Sequence, residues 1–427
     1  MIAFRGRIRR TERMLLSGAF ACSLLFVACE HKGKPPAGTP AGHGLTIRLT
    51  KVPSGTAAGA AIYVAGTFNG WNPAAADYRL TAQGQGQYAI ALPDSVRGPV
   101  EFKFTLGSWG AVEVDASGGD VPNRTFAVPD SGAATYTGSV GAWRDPRTVA
   151  PRAHTARPTV SVLDTAFAIP QLGRTRRIWL YLPPDYSTST ERYPVLYLQD
   201  GQNVFDAATS FAGEWGVDET LDSLHAAGDR GAIVVAVDNG GGRRTDEYLP
   251  WPSAVAGLGG GEGARYAYFL VRTLKPYVDA HYRTRPGRLD TGVGGSSLGG
   301  LISLYAALTY PEVFGRVLVF SPSFFVNPAI FALARAARPL QPASRFYFVS
   351  GLNEGGPGPL FQAIPSGQRA VVDTLAAAGF DLKTDVRSLL PADGAHAEWF
   401  WRREFPAAYL WLFSSVAGRG PGGAPDR

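Results

Sequence analysis

The chain has 427 residues, of which 45% are hydrophobic and 18% charged, which excludes a mainly disordered protein and suggests two or three domains. Its 52 glycines and 32 prolines show no Gly-X-Y period, so a collagen-like fold is excluded. Five arginines and one glutamate lie in the first 29 residues, and the remaining chain carries 36 basic against 34 acidic residues. A body this close to neutral lacks the basic surface that binds a phosphate backbone, so we expect no nucleic-acid partner.

Residues 1–29 have the pattern of an export signal. A basic segment precedes an apolar stretch, Met14 to Ala28, which is shorter than the about 20 residues that cross a bilayer. The stretch ends in the sequence FVAC, which resembles the lipobox of bacterial lipoproteins. The resemblance implies lipidation of Cys29 and thus a membrane partner through a lipid anchor. An ordinary cleaved signal peptide and lipidation at Cys22 are the alternatives.

Residues 30–44 show no hydrophobic period and are predicted to be a flexible tether. Both cysteines of the chain lie in the export signal, so the mature body has no thiol for a disulfide or a cysteine metal site. By analogy with lipoproteins, Glu30 after the cysteine favours the outer membrane, on its periplasmic or surface face, as the location in the cell envelope.

Residues 45–130 contain short alternating strands broken by Gly, Asn and Pro, which predicts a small all-β sandwich. The sequence VAGTFNGWNP at 64–73, followed by EFKF at 101–104, resembles the glycogen- and starch-binding modules of the early-set immunoglobulin-like type. The resemblance implies that Trp71 and Trp109 stack on sugar faces, whereas Lys103 and Asn123 bond to hydroxyl groups. A structural corner in a spacer or docking module is the alternative interpretation.

Residues 131–158 show no sustained period and are predicted to be a linker. Over residues 159–416, apolar β-branched runs alternate with helical segments, which predicts an α/β fold, a mostly parallel sheet with helices on both faces. The last residues, 417–427, are expected to be a disordered tail. In such a sheet the functional site lies at the carboxyl ends of the strands.

The sequence Gly295-Ser296-Ser297-Leu298-Gly299 stands between a short strand and a helical stripe. A tight strand-to-helix turn of this kind exposes a nucleophilic serine at a helix N-terminus, so Ser297 is the candidate nucleophile. The alternative is a glycine-rich turn that only permits close packing of strand and helix.

A serine nucleophile needs a base, and His396 is the only histidine that follows Ser297, in the order Ser, acid, His that α/β-hydrolases use. Glu354 follows a predicted strand and is the candidate for the carboxylate that orients the histidine, with Asp393 as the alternative. Backbone amides must bind the oxyanion. We expect the amides of Leu298 and Gln202 to do so, because Gly201 permits a sharp turn.

Several segments of residues 170–415 resemble the esterase family that includes esterase D, feruloyl and acetyl xylan esterases, trilactone siderophore esterases and mycolyltransferases. The resemblance implies an α/β-hydrolase fold and ester substrates, without a cofactor or a metal. In the feruloyl members the acid occupies a Gly-Thr-Asn-Asp turn, which matches Gly351 to Glu354 here with Glu in place of Asp. The segments are Tyr197 to Phe205, Val237 to Asn239, Arg244 to Tyr248, Gly295 to Gly300 and His396 to Trp399.

These patterns predict a metal-independent serine esterase with a Ser297, Glu354 and His396 triad that acts on acylated carbohydrate or a similar polyhydroxylated substrate. A siderophore trilactone esterase and a non-catalytic glycan-binding surface lipoprotein are the alternatives. Arg243 and Arg244 either meet an anionic substrate or lie in a solvated loop. The sequence leaves the acyl group, the oligomeric state and the choice between hydrolysis and acyl transfer open. The remaining candidates, either pocket or core, are Trp215, Trp251, Trp399 and Trp401.

Overall fold

The structure is a computed structural model that describes residues 44–417, apart from residues 58, 70, 117, 120, 145–151, 212, 256–257 and 355–358. The predicted export signal with Cys29, the tether up to residue 43 and the tail from residue 418 lie outside the described residues. Within the described ranges, no helix is both long and apolar enough to cross a bilayer.

The amino-terminal part of the described chain, the β module, consists of short strands around one core. One sheet has the order β3-β4-β1-β8 and another the order β2-β5-β7, while β6 pairs with β9. Ile47 of the first sheet and Phe102 and Phe104 of the second meet in one hydrophobic cluster. The strands are β1 (Leu45–Lys51), β2 (Tyr63–Gly66), β3 (Thr81–Gly84), β4 (Gln87–Ala91), β5 (Gly98–Thr105), β6 (Glu113–Val114), β7 (Arg124–Val128), β8 (Ala134–Ser139) and β9 (Ala142–Trp143).

The prediction of a linker over residues 131–158 is wrong at its start, because β8 and β9 lie within that range. β8 pairs in parallel with β1, and its residues alternate between half-buried and exposed. Its half-buried positions are Ala134, Tyr136 and Gly138, so the strand offers little of the apolar β-branched signal by which strands are found in a sequence.

Residues 152–159 form a strap that is bonded to carboxylates of the α/β body. His154 Nδ1 lies 2.7 Å from an oxygen of Asp206, and the hydroxyl of Thr155 donates to Glu214 at 2.6 Å. The backbone amide of Arg157 donates to Asp218 at 2.8 Å. The strap is therefore fixed by side chains that stand more than 50 residues away in the sequence. No hydrophobic period within the segment itself indicates its structure.

The α/β body is built on a sheet of order β10-β11-β13-β12-β14-β15-β16-β17. β10 with β11 and β11 with β13 pair antiparallel, whereas the other neighbours pair in parallel. This confirms the predicted α/β fold with a mostly parallel sheet. The strands are β10 (Val160–Ile169), β11 (Arg174–Tyr181), β12 (Val195–Gln199), β13 (Ile233–Val237), β14 (Thr291–Ser296), β15 (Arg316–Phe320), β16 (Arg345–Val349) and β17 (Val386–Leu389).

Helices cover both faces of this sheet, as the run of β12 shows. Val195 and Tyr197 lie in one hydrophobic cluster, with residues of α3, α5, α6 and α7, whereas Leu196 and Leu198 lie in a second cluster with residues of α1 and α8. This alternation follows the period of two of a strand that is buried on both sides. The helices are α1 (Val217–Ala226), α2 (Arg244–Tyr248), α3 (Gly263–Phe269), α4 (Lys275–His281), α5 (Leu298–Thr309), α6 (Ala329–Ala336), α7 (Pro359–Ala377) and α8 (Glu398–Ala417).

Asp218 in the first turn of α1 gives the fold a pH dependence. Its side chain is fully buried, next to the carboxyl group of Glu219. Burial raises its pKa from 3.8 to about 7, while the Arg157 amide opposes the shift and the neighbouring Glu219 adds to it. The folded chain thus holds a proton that the unfolded chain releases, so this contribution to stability is lost as the pH rises through about 7.

We expect the Asp218→Asn variant, whose amide oxygen still accepts from Arg157, to lose this pH dependence. Between pH 5 and pH 8 the thermal unfolding temperature of the wild-type chain should fall relative to that of the variant. Unfolding followed by circular dichroism at several pH values checks this. Curves that run parallel for the two proteins would contradict the assignment of the buried proton to Asp218.

Candidate active site

Ser297 occupies a tight turn between β14, which ends at Ser296, and α5, which begins at Leu298. Its φ of 58° and ψ of −123° are a strained conformation for a residue with a side chain. A Cβ on Gly295 would lie 2.8 Å from the carbonyl carbon of Gly299, so the turn closes only with glycine there. The Ser297 amide donates to Phe320 O at 2.9 Å, which fixes the turn to the end of β15.

Glu354 and His396 are joined by a hydrogen bond in the loops after β16 and β17. His396 Nδ1 lies 2.8 Å from Glu354 Oε2. The Glu354 side chain is completely buried, whereas the His396 side chain is 26% exposed. Because an ionised carboxylate can only accept, we assign the proton to Nδ1, which leaves Nε2 as an acceptor.

The loop after β15 touches both the serine and the acid. The hydroxyl of Ser323 lies 3.1 Å from that of Ser297, and the hydroxyl of Ser321 donates to Glu354 Oε1 at 2.9 Å. The predicted nucleophile, acid and base thus lie at one edge of the sheet, at the carboxyl ends of β14 to β17. Asp393, the alternative acid, instead pairs with Arg403 on the surface.

Ser321 is a site residue that the sequence analysis does not identify, and Trp401, a candidate for pocket or core, lies beside it. The indole Nε1 of Trp401 donates to Ser321 Oγ at 2.9 Å, and its ring meets that of His396 edge-on at 5.2 Å. Ser321 itself has a φ of 41°, a strained value at the carboxyl end of a strand. The only signal in the sequence is a polar Ser-Pro-Ser directly after the apolar run of β15.

The backbones of the acid loop and the histidine loop are in direct contact. A Cβ on Gly351 would overlap the carbonyl group of Gly394, and a Cβ on Gly394 would lie 2.6 Å from the Cα of Gly351. The amide of Leu352 donates to Pro391 O at 2.9 Å, which fastens the two loops. Two glycines therefore set the separation at which Glu354 reaches His396.

Gln202 lies in a helical turn, Gly201–Asn203, that follows β12. The left-handed residue of this turn is Asp200, with a φ of 56°. Gly201 permits the turn through its missing side chain. A Cβ there would lie 2.8 Å from the backbone of Val237, so the turn packs directly on β13. The Gln202 side chain accepts from the Asn239 amide at 3.1 Å.

Arg244 holds Asp200 in place and is not a solvated loop residue. Its Nε and one terminal nitrogen donate to the two oxygens of Asp200 at 2.7 and 2.8 Å. The side-chain amide of Asn239 donates a further bond to Asp200 at 2.7 Å. The backbone amide of Asp200 in turn donates to the Tyr248 hydroxyl at 3.1 Å. Arg243, in contrast, is exposed and lies 3.4 Å from Asp246.

The four tryptophans that are candidates for pocket or core differ in their burial. Trp215 and Trp401 are buried in the core under the site, where Trp215 stacks on Phe320 at 5.4 Å. Trp251 is half-buried, and Trp399 is 52% exposed. Among the described residues, no group of three or more His, Cys, Asp or Glu is placed to hold a metal ion.

Two of the four predicted glycan-binding residues of the β module meet. The rings of Trp71 and Trp109 are 6.1 Å apart at an angle of 40°. Lys103 Nζ donates to Val121 O at 2.5 Å, and burial lowers its pKa. The amide of Asn123 donates to Glu101 at 3.0 Å, so these two polar groups are engaged within the module itself.

Comparison with known proteins gives one family and several relatives. The model of the family described as Putative esterase matches residues 169–412, more than half of the chain. The uncharacterized protein YbbA of Bacillus subtilis is 30% identical over 185 residues, which cover 42% of this chain and 69% of that protein.

Two further relatives carry functional names. An endo-1,4-beta-xylanase/feruloyl esterase of Xylanibacter ruminicola is 24% identical over 247 residues, 57% of this chain and 30% of the relative. A siderophore triacetylfusarinine C esterase of Aspergillus fumigatus is 29% identical over 150 residues, 34% of this chain and 48% of the relative. The chain therefore spans less than half the length of each of these two proteins.

We expect Gly351→Ala to lower kcat/KM for ester hydrolysis at least tenfold, because the new methyl group forces the acid loop away from Gly394 and lengthens the bond between Glu354 and His396. Gly287→Ala is the matched control, since a Cβ there meets nothing closer than 4.0 Å. Steady-state kinetics on p-nitrophenyl acetate measure both variants. Wild-type activity in Gly351→Ala would show that the loop contact does not position the acid.

Proposed function

Because the chain belongs to the Putative esterase family and is a carboxylic ester hydrolase, we propose that Ser297, Glu354 and His396 are its nucleophile, acid and base. The proposal extends to the substrate, which we take to be an acyl ester of a carbohydrate or a similar polyhydroxylated compound. The observation that carries it is the 2.8 Å bond between His396 Nδ1 and a fully buried Glu354, at the edge where Ser297 stands in its strained turn.

The hydrogen bond to Glu354 fixes the proton on Nδ1 of His396 and leaves Nε2 to take the proton of the Ser297 hydroxyl. The hydroxyl oxygen then attacks the ester carbonyl, and the imidazolium that forms is stabilised by the buried carboxylate. Nε2 returns the proton to the leaving alcohol, which leaves an acyl group on Ser297. A water molecule, deprotonated in the same way, releases the acid and restores the serine.

The negative oxygen of each tetrahedral intermediate needs two preorganised amide donors, for which we propose Leu298 and Gln202. The Leu298 amide is at the first turn of α5, where the helix dipole favours negative charge. The turn that carries Gln202 is held by Asp200 and Arg244 from one side and by the backbone of β13 from another. Losing one such donor costs on the order of 3 kcal/mol of transition-state stabilisation.

Two observations support a carbohydrate ester as the substrate. The β module resembles glycan-binding modules in its sequence, and the Xylanibacter relative is named as both a xylanase and a feruloyl esterase. The Aspergillus relative, named as a siderophore esterase, favours a trilactone as the second candidate. Membership of the esterase family argues against the third interpretation, a scaffold that only binds glycan.

We expect Ser297→Ala to lower kcat for p-nitrophenyl acetate at least a thousandfold, because the nucleophile is lost. Ser323→Ala is the matched control, since its hydroxyl lies only 3.1 Å from that of Ser297 and it should keep most of the activity. Loss in the Ser323 variant with retention in the Ser297 variant would reverse the assignment. Turnover of feruloylated or acetylated oligosaccharides against a cyclic trilactone then ranks the two substrate candidates.

We also propose that Cys29 carries a lipid that anchors the chain to the outer membrane of the bacterial cell. The lipobox-like FVAC sequence and the basic, apolar segment before it support this. Cys29→Ala should abolish incorporation of radiolabelled palmitate in cells that express the full chain and should release the protein from the membrane fraction. Cys22→Ala should incorporate label like the wild type, and labelling of the Cys29 variant would refute the site.

A further inference from the structure

One face of the β module lies against the catalytic edge of the α/β body. Side chains alternate along β5, so Glu101 points to the face opposite Phe102 and Phe104, which lie in the module core. Glu101 is nonetheless only 8% exposed. Burial raises the pKa of its carboxyl group, while its bond from Asn123 and the positive charge that His396 carries when protonated lower it. Glu101 is thus within electrostatic reach of the candidate catalytic base.

A second contact joins the module to the same edge. The ring of Trp109 meets the ring of Phe211 edge-on, with 5.4 Å between centroids. Phe211 belongs to the loop between β12 and α1 and is 53% exposed. Its amide donates to the side chain of Asn203 at 2.9 Å, and Asn203 is the residue after Gln202 in the proposed oxyanion turn. Phe211 is therefore one hydrogen bond from that turn.

We propose that Trp71, Trp109 and Phe211 form one aromatic platform that binds the sugar rings of an esterified polysaccharide beside Ser297. The inference rests on the proposed function and deepens it, because it makes the β module a part of the substrate site. Here Trp109 touches the body, and the body supplies the third ring.

Sugar rings fit this platform because they have apolar faces and polar edges. Half-buried and exposed aromatic side chains offer large apolar faces at a small cost in conformational entropy. The polar partners of the module are engaged elsewhere, since Lys103 donates to Val121 O and the Asn123 amide donates to Glu101. Ring contacts that include Phe211 must then supply much of the affinity for the glycan, and an ester group on the bound chain would lie toward Ser297.

The test measures binding without turnover, in the full chain with Ser297→Ala. Xylohexaose and maltohexaose are titrated separately by isothermal calorimetry, and at least one of them should bind. Adding Trp109→Ala or Phe211→Ala should each weaken that binding at least fivefold. Tyr268→Ala is the matched control, because Tyr268 is an aromatic side chain on α3 that is 45% exposed and has no place in the platform, so its variant should bind as the parent does.

Three results would overturn the platform. The first is that neither hexasaccharide binds, and the second is that ferulic acid binds to the three rings whereas the hexasaccharides do not. The third is that Phe211→Ala leaves the affinity unchanged, which would place any glycan site on the β module alone. Circular dichroism of each variant shows that it is folded. Ester hydrolysis by the wild-type chain is measured separately, so a failure of the proposed function and a failure of the platform give different results.

Discussion

Close backbone approach at the carboxyl edge of the large sheet is the constraint on which the site depends. The turn that carries Ser297 closes only because Gly295 has no Cβ, which would lie 2.8 Å from the backbone of Gly299. The acid and histidine loops meet through Gly351 and Gly394 in the same way. Side chains at these points would separate the strands and loops that carry the proposed catalytic groups.

A buried negative charge is the cost of this arrangement, and the structure compensates it with donors. Glu354 is 1% exposed, and an isolated carboxylate there would be strongly destabilising. It accepts from Ser321, from the Gly351 amide and from His396. Trp401 in turn donates to Ser321, so the hydroxyl group that orients the acid is itself held by a hydrogen bond. A carboxylate held so firmly fixes the ring of His396 before any substrate arrives.

The strap and the β module also contact the loops at this edge of the sheet. The strap is tied to Asp206 and Glu214, which stand on either side of Phe211 in the loop between β12 and α1. Trp109 of the module contacts Phe211 in this loop, next to the proposed oxyanion turn. In the aromatic platform that we propose, this contact lets the enzyme bind the part of the substrate that does not react, and that part distinguishes a polysaccharide ester from a simple one.

Much of the α/β body follows from sequence, because buried parallel strands are apolar runs and the Gly-x-Ser-x-Gly turn has a local signature. The prediction fails where local pattern and tertiary role differ. β10 carries little of the apolar signal of a strand, because it lies at the edge of the sheet and most of its residues are exposed. The left-handed conformation of Asp200 has no signal in the sequence, because distant residues, Arg244, Asn239 and Tyr248, hold Asp200 in place. Ser321 acquires its role from contacts with residues 33 and 80 positions away.

The site residues were predicted by chain order and by resemblance, and their roles remain proposals that one structure can test. The most direct measurement is a crystal structure of the full chain after reaction with diisopropyl fluorophosphate. The account predicts phosphorus bonded to Ser297 Oγ, with the phosphoryl oxygen accepting from the amides of Leu298 and Gln202 and with His396 Nε2 facing the adduct. An adduct on another serine such as Ser323, or a phosphoryl oxygen that points away from both amides, would contradict it.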